Sequence, residues 1–222
     1  MSKPTLIYFP ARGRAEVIRL VLAEAGIDHD EHPVGHNTQP SNGRPTDFAA
    51  LKASGALAFD AVPTWEEPGG FRLAQSTAIA NHLARTHGLQ GKTPLEAAQC
   101  DQLLGAVDDV RVELRKLVTG AADGRAALRA ELTTATLPRW LGYFDRLLKA
   151  NRDGTGFVVG DSVSLADLAL WYLLEMLGDN GFAPVVAQHP TLVSFAARIG
   201  QRPRIASYLN SARRHPLVRL PA

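Results

Sequence analysis

The sequence predicts an α+β chain: an N-terminal domain in βαβ-α-ββα order over residues 1–86, then an all-α domain over residues 95–222. Three observations predict it. Short apolar runs alternate with segments of helical period through the first part. The stretch His87-Gly88-Leu89-Gln90-Gly91-Lys92-Thr93-Pro94 breaks both periods and reads as a linker, residues 87–94. Beyond it the extended patterns are helical.

Each element has its own signal. Thr5–Tyr8 is a short apolar strand. Val17, Ile18, Leu20, Val21 and Leu22 put an apolar face on a helix over Ala15–Ala25, with Gly26 as its C-cap. His29–Val34 suits a second strand. His36–Thr46, with Pro40, Asn42, Gly43 and Pro45, reads as a loop, and Asp47–Ser54 as a short helix or turn. Pro63–Glu66 and Phe71–Ala74 flank Pro68-Gly69-Gly70, a hairpin signal. Ser76–Thr86 is helical, with Ile79, Ala80 and Leu83 on one face and Ser76 as a good N-cap type. This order is that of a thioredoxin-like domain. In the second part, Leu95–Thr119 and Ala126–Ala150 are long helical patterns divided by Gly120 and Gly124. Pro138 predicts a kink in the second of them. Ser164–Gly178 follows, opened by Ser164-Leu165-Ala166-Asp167, a capping box with Asp in place of Glu or Gln. Shorter helices fit Thr191–Gly200 and Pro203–Ser211.

Composition narrows the function. A chain of 222 residues holds one large domain or two small ones. Its 45% hydrophobic and 21% charged content is that of an ordinary globular protein. A net charge of +2 gives no nucleic-acid footprint. The single cysteine, Cys100, rules out an internal disulfide and an all-cysteine metal site. The histidines are scattered without ligand spacing, so no metal is expected. With no signal-peptide-like start and no apolar run near the ~20 residues of a spanning helix, a soluble cytoplasmic protein without membrane attachment is expected.

The most informative stretch is Tyr8-Phe9-Pro10-Ala11-Arg12-Gly13-Arg14-Ala15-Glu16. It puts a phenol at the end of a strand and two arginines and a glycine at the start of a helix. Helix N-termini attract anions, and a phenol beside one can donate a hydrogen bond to a developing thiolate. Strand, YF-x-x-RGR-A-E and amphipathic helix resemble the start of a cytosolic glutathione S-transferase of the tyrosine type, closest to the mu, pi and sigma classes. The likeness runs through nearly the whole chain and implies the glutathione transferase fold.

That resemblance implies an activity and a set of residues. The activity is conjugation of the thiolate of reduced glutathione to hydrophobic electrophiles, with glutathione as co-substrate and no other cofactor. Tyr8 would stabilise the thiolate. A free thiol with a pKa near 8.5 is only about 3% ionised at neutral pH. Full ionisation is therefore a ~30-fold gain, within the ~1.5–3 kcal/mol of a hydrogen bond to a charged group. Arg14 would shape the catalytic centre. Val62 before a cis-Pro63 would pair its backbone with the cysteinyl unit, although Ala61 stands where the family often has Asn or Gln. Gln75 and Ser76 would hold the γ-glutamyl carboxylate. Lys52 would bind the glycyl carboxylate beside Phe48, which stands where mu-like members carry Trp.

Further roles follow from the same resemblance. Asp109 of the neighbouring subunit, or Asp108 if the register shifts by one, would reach the α-amino group. The alternative for Asp109 is a surface pair with Arg111 or Lys116. Pro10, Ala11, Arg12, Arg115 and Thr119 would line the electrophile pocket. Phe59 would enter a partner subunit near Leu103 and Ala106, making a homodimer. Two other readings stay open: a glutathione-dependent isomerase (prostaglandin-D-synthase-like), and a non-enzymatic binding or structural protein on the same scaffold.

Overall fold

The computed structural model describes residues 2–35 and 47–221. The loop expected over 36–46 lies outside the described residues. The chain divides into two compact units. One comprises residues 1–87 with 207–218, the other 88–206 with 219–222. The segment Ser207–Val218 thus joins the first unit, where the sequence pattern runs 95–222 as one helical domain.

The first unit contains a four-stranded sheet in the order β2-β1-β3-β4. β1 (Thr5–Tyr8) lies inside it, parallel to β2 (Asp30–Pro33) and antiparallel to β3 (Thr64–Glu66), which pairs antiparallel with β4 (Arg72–Ala74). A parallel pair needs a crossover. Here it is α1 (Glu16–Ala25), preceded by a 3₁₀ turn at Gly13–Ala15. Gly26 ends α1 at φ 72°, its N–H meeting the Ala23 and Leu22 carbonyls. α2 (Phe48–Ala53) begins at Asp47, whose carboxylate accepts from the Ala50 N–H. Leu51 of α2 closes a small core with Ile7, Val34 and Leu57, against which Phe9, Phe48 and Val62 pack. α3 (Ser76–Thr86) buries Ile79, Ala80, Leu83 and Ala84.

The second unit is helical. α4 (Pro94–Thr119) starts from a full capping box between Thr93 and Glu96, with Pro94 at its first position. α5 (Arg125–Glu131) and α6 (Leu137–Ala150) are joined by a π-type turn at Leu132–Thr136. The sequence predicts a kink at Pro138; the irregularity instead occupies the turn before it. Pro138 has no N–H to offer the Thr134 carbonyl, and the Leu137 N–H reaches back five residues to Leu132 O. The hydroxyls of Thr133 and Thr134 bond the carbonyls of Arg129 and Ala130 one turn back, which further loosens the ladder.

α7 (Leu165–Leu177) is buried on nearly every side, which its unbroken apolar run demands. Ser164 and Asp167 form the expected capping box. The shorter α8 (Ala183–Val186), α9 (Pro190–Gly200) and α10 (Pro203–Leu209) complete the chain. No helix of the described residues is long and apolar enough to cross a membrane.

Candidate functional site

Tyr8 ends β1, and its position follows from the strand register. Its carbonyl accepts from the Val34 N–H at 2.9 Å, so the ring is set by the sheet rather than by a loop. The side chain is 9% exposed. Phe9 meets the ring edge-on at 5.4 Å, and the Arg19 guanidinium stands 5.8 Å from its centroid. The hydroxyl accepts the Arg14 backbone N–H at 2.9 Å. Among the described residues no acceptor takes the Tyr8 proton, so the O–H remains available to a ligand.

The loop that presents the Arg14 N–H is fixed from two sides. On one, Ala11 O accepts from Arg19 Nη1 at 2.8 Å. Arg19 is itself held by Glu31 through a bidentate pair at 2.7 and 2.9 Å. On the other, the chain's last segment supplies carbonyls. Pro216 O accepts the Arg12 N–H, and His215 O accepts Arg12 Nε, both at 3.1 Å. Tyr208 donates its hydroxyl to Glu16 at 3.0 Å, and His215 Nε2 lies 3.0 Å from Glu31. Burial opposes ionisation of Glu31, but hydrogen bonds from His29, Arg19 and His215 and the Arg19 charge prevail. They hold its carboxyl far below the usual carboxylate range. Burial pushes the Glu16 carboxyl upward against the Arg19 and Arg214 charges and the Tyr208 hydrogen bond.

Beside this loop lies a cleft of ≈ 260 Å³ lined by Arg14, Ala61, Val62, Pro63, Ala74, Gln75 and Ser76. It brings together five of the residues named from sequence. The Val62–Pro63 peptide is cis, as the resemblance implies. The backbone N–H and C=O of Val62 make no backbone hydrogen bond with other described residues, leaving an edge for an extended peptide. Arg14 is exposed, and its guanidinium forms no ion pair among the described residues.

Ser76 requires a correction. It is not the N-cap but the first helical residue of α3; Gln75 occupies the cap position without a side-chain cap bond. Gln75 sits at φ 74° and ψ 116°, and its carbonyl already accepts from the Ile79 N–H at 2.9 Å. The Ser76 hydroxyl therefore has no local partner among the described residues. A non-glycine residue in such a conformation costs on the order of 1–3 kcal/mol and persists where the surroundings demand it. Gln75 and Ser76, at the start of α3 where the first N–H groups have no intrahelical carbonyl, both line the cleft.

The other expected residues fall outside that lining. Lys52 Nζ stands 4.7 Å from the Phe48 ring centroid, and Phe48 meets Phe9 edge-on at 5.2 Å. A run of contacts thus leads from Tyr8 through Phe9 and Phe48 to Lys52. Pro10, Ala11 and Arg12 belong to the first unit and Arg115 and Thr119 to α4 of the second. Thr119 turns its hydroxyl back to Arg115 O. Asp109 is exposed on α4 and has no ion pair among the described residues; Lys116 pairs with Glu113 instead, at 2.7 Å. Asp108, the other register, is half-buried.

Phe59 is 66% exposed, which argues against its packing within its own chain. Leu103, buried in the second unit, and Ala106 both line a cavity of ≈ 250 Å³ beside α4 and α6, and Ala106 also lines a neighbouring one of ≈ 500 Å³. Tyr143, Phe144 and Leu147 of α6 contribute apolar wall.

Sequence reasoning missed Arg19 and Glu31, and the resemblance that puts the C-terminal tail beside Pro10–Arg12 did not single out Tyr208, His215 or Pro216. Arg19 and Glu16 fall on the buried face of α1 among leucines and valines, so a helical-period count alone exposes them as misfits.

Comparison with known proteins agrees with both units. Residues 4–85 match the family described as glutathione S-transferase, N-terminal domain, and residues 108–212 the glutathione S-transferase, C-terminal domain. Glutathione S-transferase P 1 of Bufo bufo is 33% identical over 210 residues, spanning 93% of this chain and 91% of its own. Glutathione S-transferase alpha-1 of Rattus norvegicus is 34% identical over 208 residues, spanning 94% of this chain and 88% of its own. The solved structure of NaGST-2 superposes with a TM-score of 0.78 at 27% identity, covering 96% of this chain and 98% of that one. The P relatives carry the pi-class likeness, and the alpha relatives add a class to which the motifs do not point. With both halves matched and relatives at 33–34% identity across more than nine-tenths of its length, the chain belongs to the glutathione S-transferase family.

Proposed function

We propose that this transferase ionises the thiol of reduced glutathione with the Tyr8 hydroxyl and transfers the sulfur to hydrophobic electrophiles. The observation that carries the reading is the Tyr8 hydroxyl itself: it accepts from the Arg14 N–H, and no described residue takes its proton. A hydroxyl that accepts one hydrogen bond is polarised toward donating another. Val62 pairs its free backbone with the cysteinyl unit. Gln75, Ser76 and the amide end of α3 receive the γ-glutamyl carboxylate, and the Arg14 guanidinium adds positive charge on the same wall. Lys52, steadied on the Phe48 face, takes the glycyl carboxylate. Pro10, Ala11 and Arg12 contact the electrophile. Titration calorimetry with glutathione, followed by a conjugation assay with an activated aryl halide, tests the whole. Absence of glutathione binding at millimolar concentration sinks it.

Lys52 gives a separable check. Lys52→Ala should weaken glutathione about 2- to 5-fold, the ~0.4–1 kcal/mol scale of an exposed charge pair. The rate at saturating glutathione should stay near wild type, because the lysine binds ground state and transition state alike. A fall in the saturated rate with unchanged affinity would remove Lys52 from the binding set.

The active form is a homodimer in which Phe59 enters the apolar cavity between α4 and α6 of the partner subunit. Asp109 of the partner subunit then reaches the α-amino group. An exposed phenylalanine in one unit and an open apolar cavity in the other support a twofold arrangement, each protomer supplying both. Phe59→Ala should weaken dimerisation by about tenfold to a hundredfold, the scale of losing an aromatic anchor. Sedimentation across a protein dilution series reads this directly. An unchanged dimer would assign Phe59 another role.

A further inference from the structure

We propose that Gly13 is a positioning residue for Tyr8: its missing side chain is the space that the Tyr8 hydroxyl occupies. The proposal rests on the reading of Tyr8 as the thiolate donor. Gly13 has φ +44°, a conformation that favours glycine. A Cβ built there would stand 2.5 Å from the Tyr8 hydroxyl oxygen and 3.3 Å from both Cε1 and Cζ. A Cβ would also meet a neighbour at the left-handed Gly91 and Gly160 (Glu96) and Gly154 (Thr191), none of them beside Tyr8, whereas other left-handed glycines have open space. At Gly55, Gly69, Gly70, Gly88 and Gly181 a Cβ would meet nothing within 4 Å, so only the backbone asks for glycine there. At Gly13 the backbone and the phenol both ask for it.

The phenol cannot simply yield. Its ring is buried, set by the sheet, edged by Phe9 and faced by Arg19. The flanking residues are fixed as well: Arg12 by the carbonyls of His215 and Pro216, Arg14 through its own N–H to Tyr8. A methyl group at residue 13 therefore has to tilt the ring, and the hydroxyl moves with it. A shift of well under 1 Å takes a 2.9 Å bond out of hydrogen-bonding range. Both the bond from the Arg14 N–H and the aim of the O–H at a bound sulfur are then lost. The glycine of the RGR motif thus sets where the hydroxyl stands, without touching substrate.

The test is Gly13→Ala, measured alone and with Tyr8→Phe. In the single variant the thiol pKa of bound glutathione should rise toward that of the free thiol. The rate at pH 6.5 should fall at least tenfold, the deficit should shrink above pH 9, and glutathione affinity should change less than threefold. In the Tyr8→Phe background the closest clashing atom is gone, so Gly13→Ala should cost little further rate and less thermal stability. If Gly13→Ala does not fold, the double variant should fold, because the phenol oxygen is what it clashes with. An unchanged thiol pKa in the single variant overturns the proposal. So does an equal rate loss in both backgrounds, or failure of both variants to fold. If Tyr8→Phe itself leaves the thiol pKa of bound glutathione unchanged, the reading of Tyr8 has failed, an outcome visible without any Gly13 variant.

Discussion

Tyr8→Phe should lower the second-order rate constant for glutathione conjugation by about 30- to 100-fold at pH 7. The lower figure is the thiolate gain available when a thiol of pKa near 8.5 goes from ~3% to full ionisation. The upper figure adds part of the ~1.5–3 kcal/mol of a hydrogen bond to a charged acceptor. The substitution removes one oxygen from a ring whose position depends on β1, Phe9 and Arg19, so the fold should be retained. Glutathione affinity should change little, since on the proposed reading the carboxylates and backbone of the tripeptide are held by other residues. The sign of the pH dependence is specific. Above pH 8.5 glutathione ionises unaided, so the deficit of the variant should shrink as pH rises. A deficit that stays constant from pH 6 to 9 would mean that the phenol positions the substrate rather than ionising it.

Asp167→Ala should cost about 3–5 kcal/mol of stability, the larger effect on the fold. The Asp167 carboxylate is fully buried and accepts three hydrogen bonds: from the Val158 N–H at 2.8 Å, the Ser164 N–H at 2.8 Å and the Ser164 hydroxyl at 2.7 Å. Alanine strands those donors in the interior at ~1–3 kcal/mol each, and loss of the cap removes about 1 kcal/mol more. Part of that is recovered by water entry and relaxation. In a chain of this size the melting temperature should fall by roughly 10 °C or more.

The same residue gives a pH signature. Burial pushes its carboxyl up to about 6 from 3.8, outweighing the three donors. The native state therefore binds this proton more tightly than the unfolded chain between those values. Stability from this group rises as pH falls from 7 through 6. Asp167→Asn cannot titrate, so the stability of wild type relative to that variant should increase toward acid, by up to about 1.4 kcal/mol per pH unit. Urea midpoints at pH 7.5 and 5 measure it; a flat difference would mean the carboxylate stays ionised in the native protein.

What the sequence makes legible is local. The strand and helix around Tyr8 follow from apolar spacing, the α7 start from Ser164 and Asp167, and the hairpin from Pro68-Gly69-Gly70. The cis peptide at Pro63 and the roles of Gln75 and Ser76 come from family likeness, because spacing alone leaves each of them ordinary. What escapes is non-local or conformational. Helical spacing marks Arg19 as a misfit on a buried face, but its partner Glu31 is reached only once β2 pairs with β1. His215 and Pro216 lie some 200 residues from the loop they hold, beyond any periodicity. The cap of α3 falls on Gln75 rather than Ser76 because of a backbone angle that glutamine does not advertise. The glycine of the RGR motif looks like turn chemistry until the phenol is seen in the space its side chain would fill.

The most direct measurement is a pH titration of glutathione bound to the wild-type protein and to Tyr8→Phe, followed by the ultraviolet absorbance of the thiolate. With Tyr8 as the activating donor, the bound thiol in wild type ionises well below the ~8.5 of a free thiol, and the variant returns it toward that value. Equal thiol pKa values in the two proteins, with glutathione bound in both, would contradict that role and move the search to Arg14 or a backbone donor.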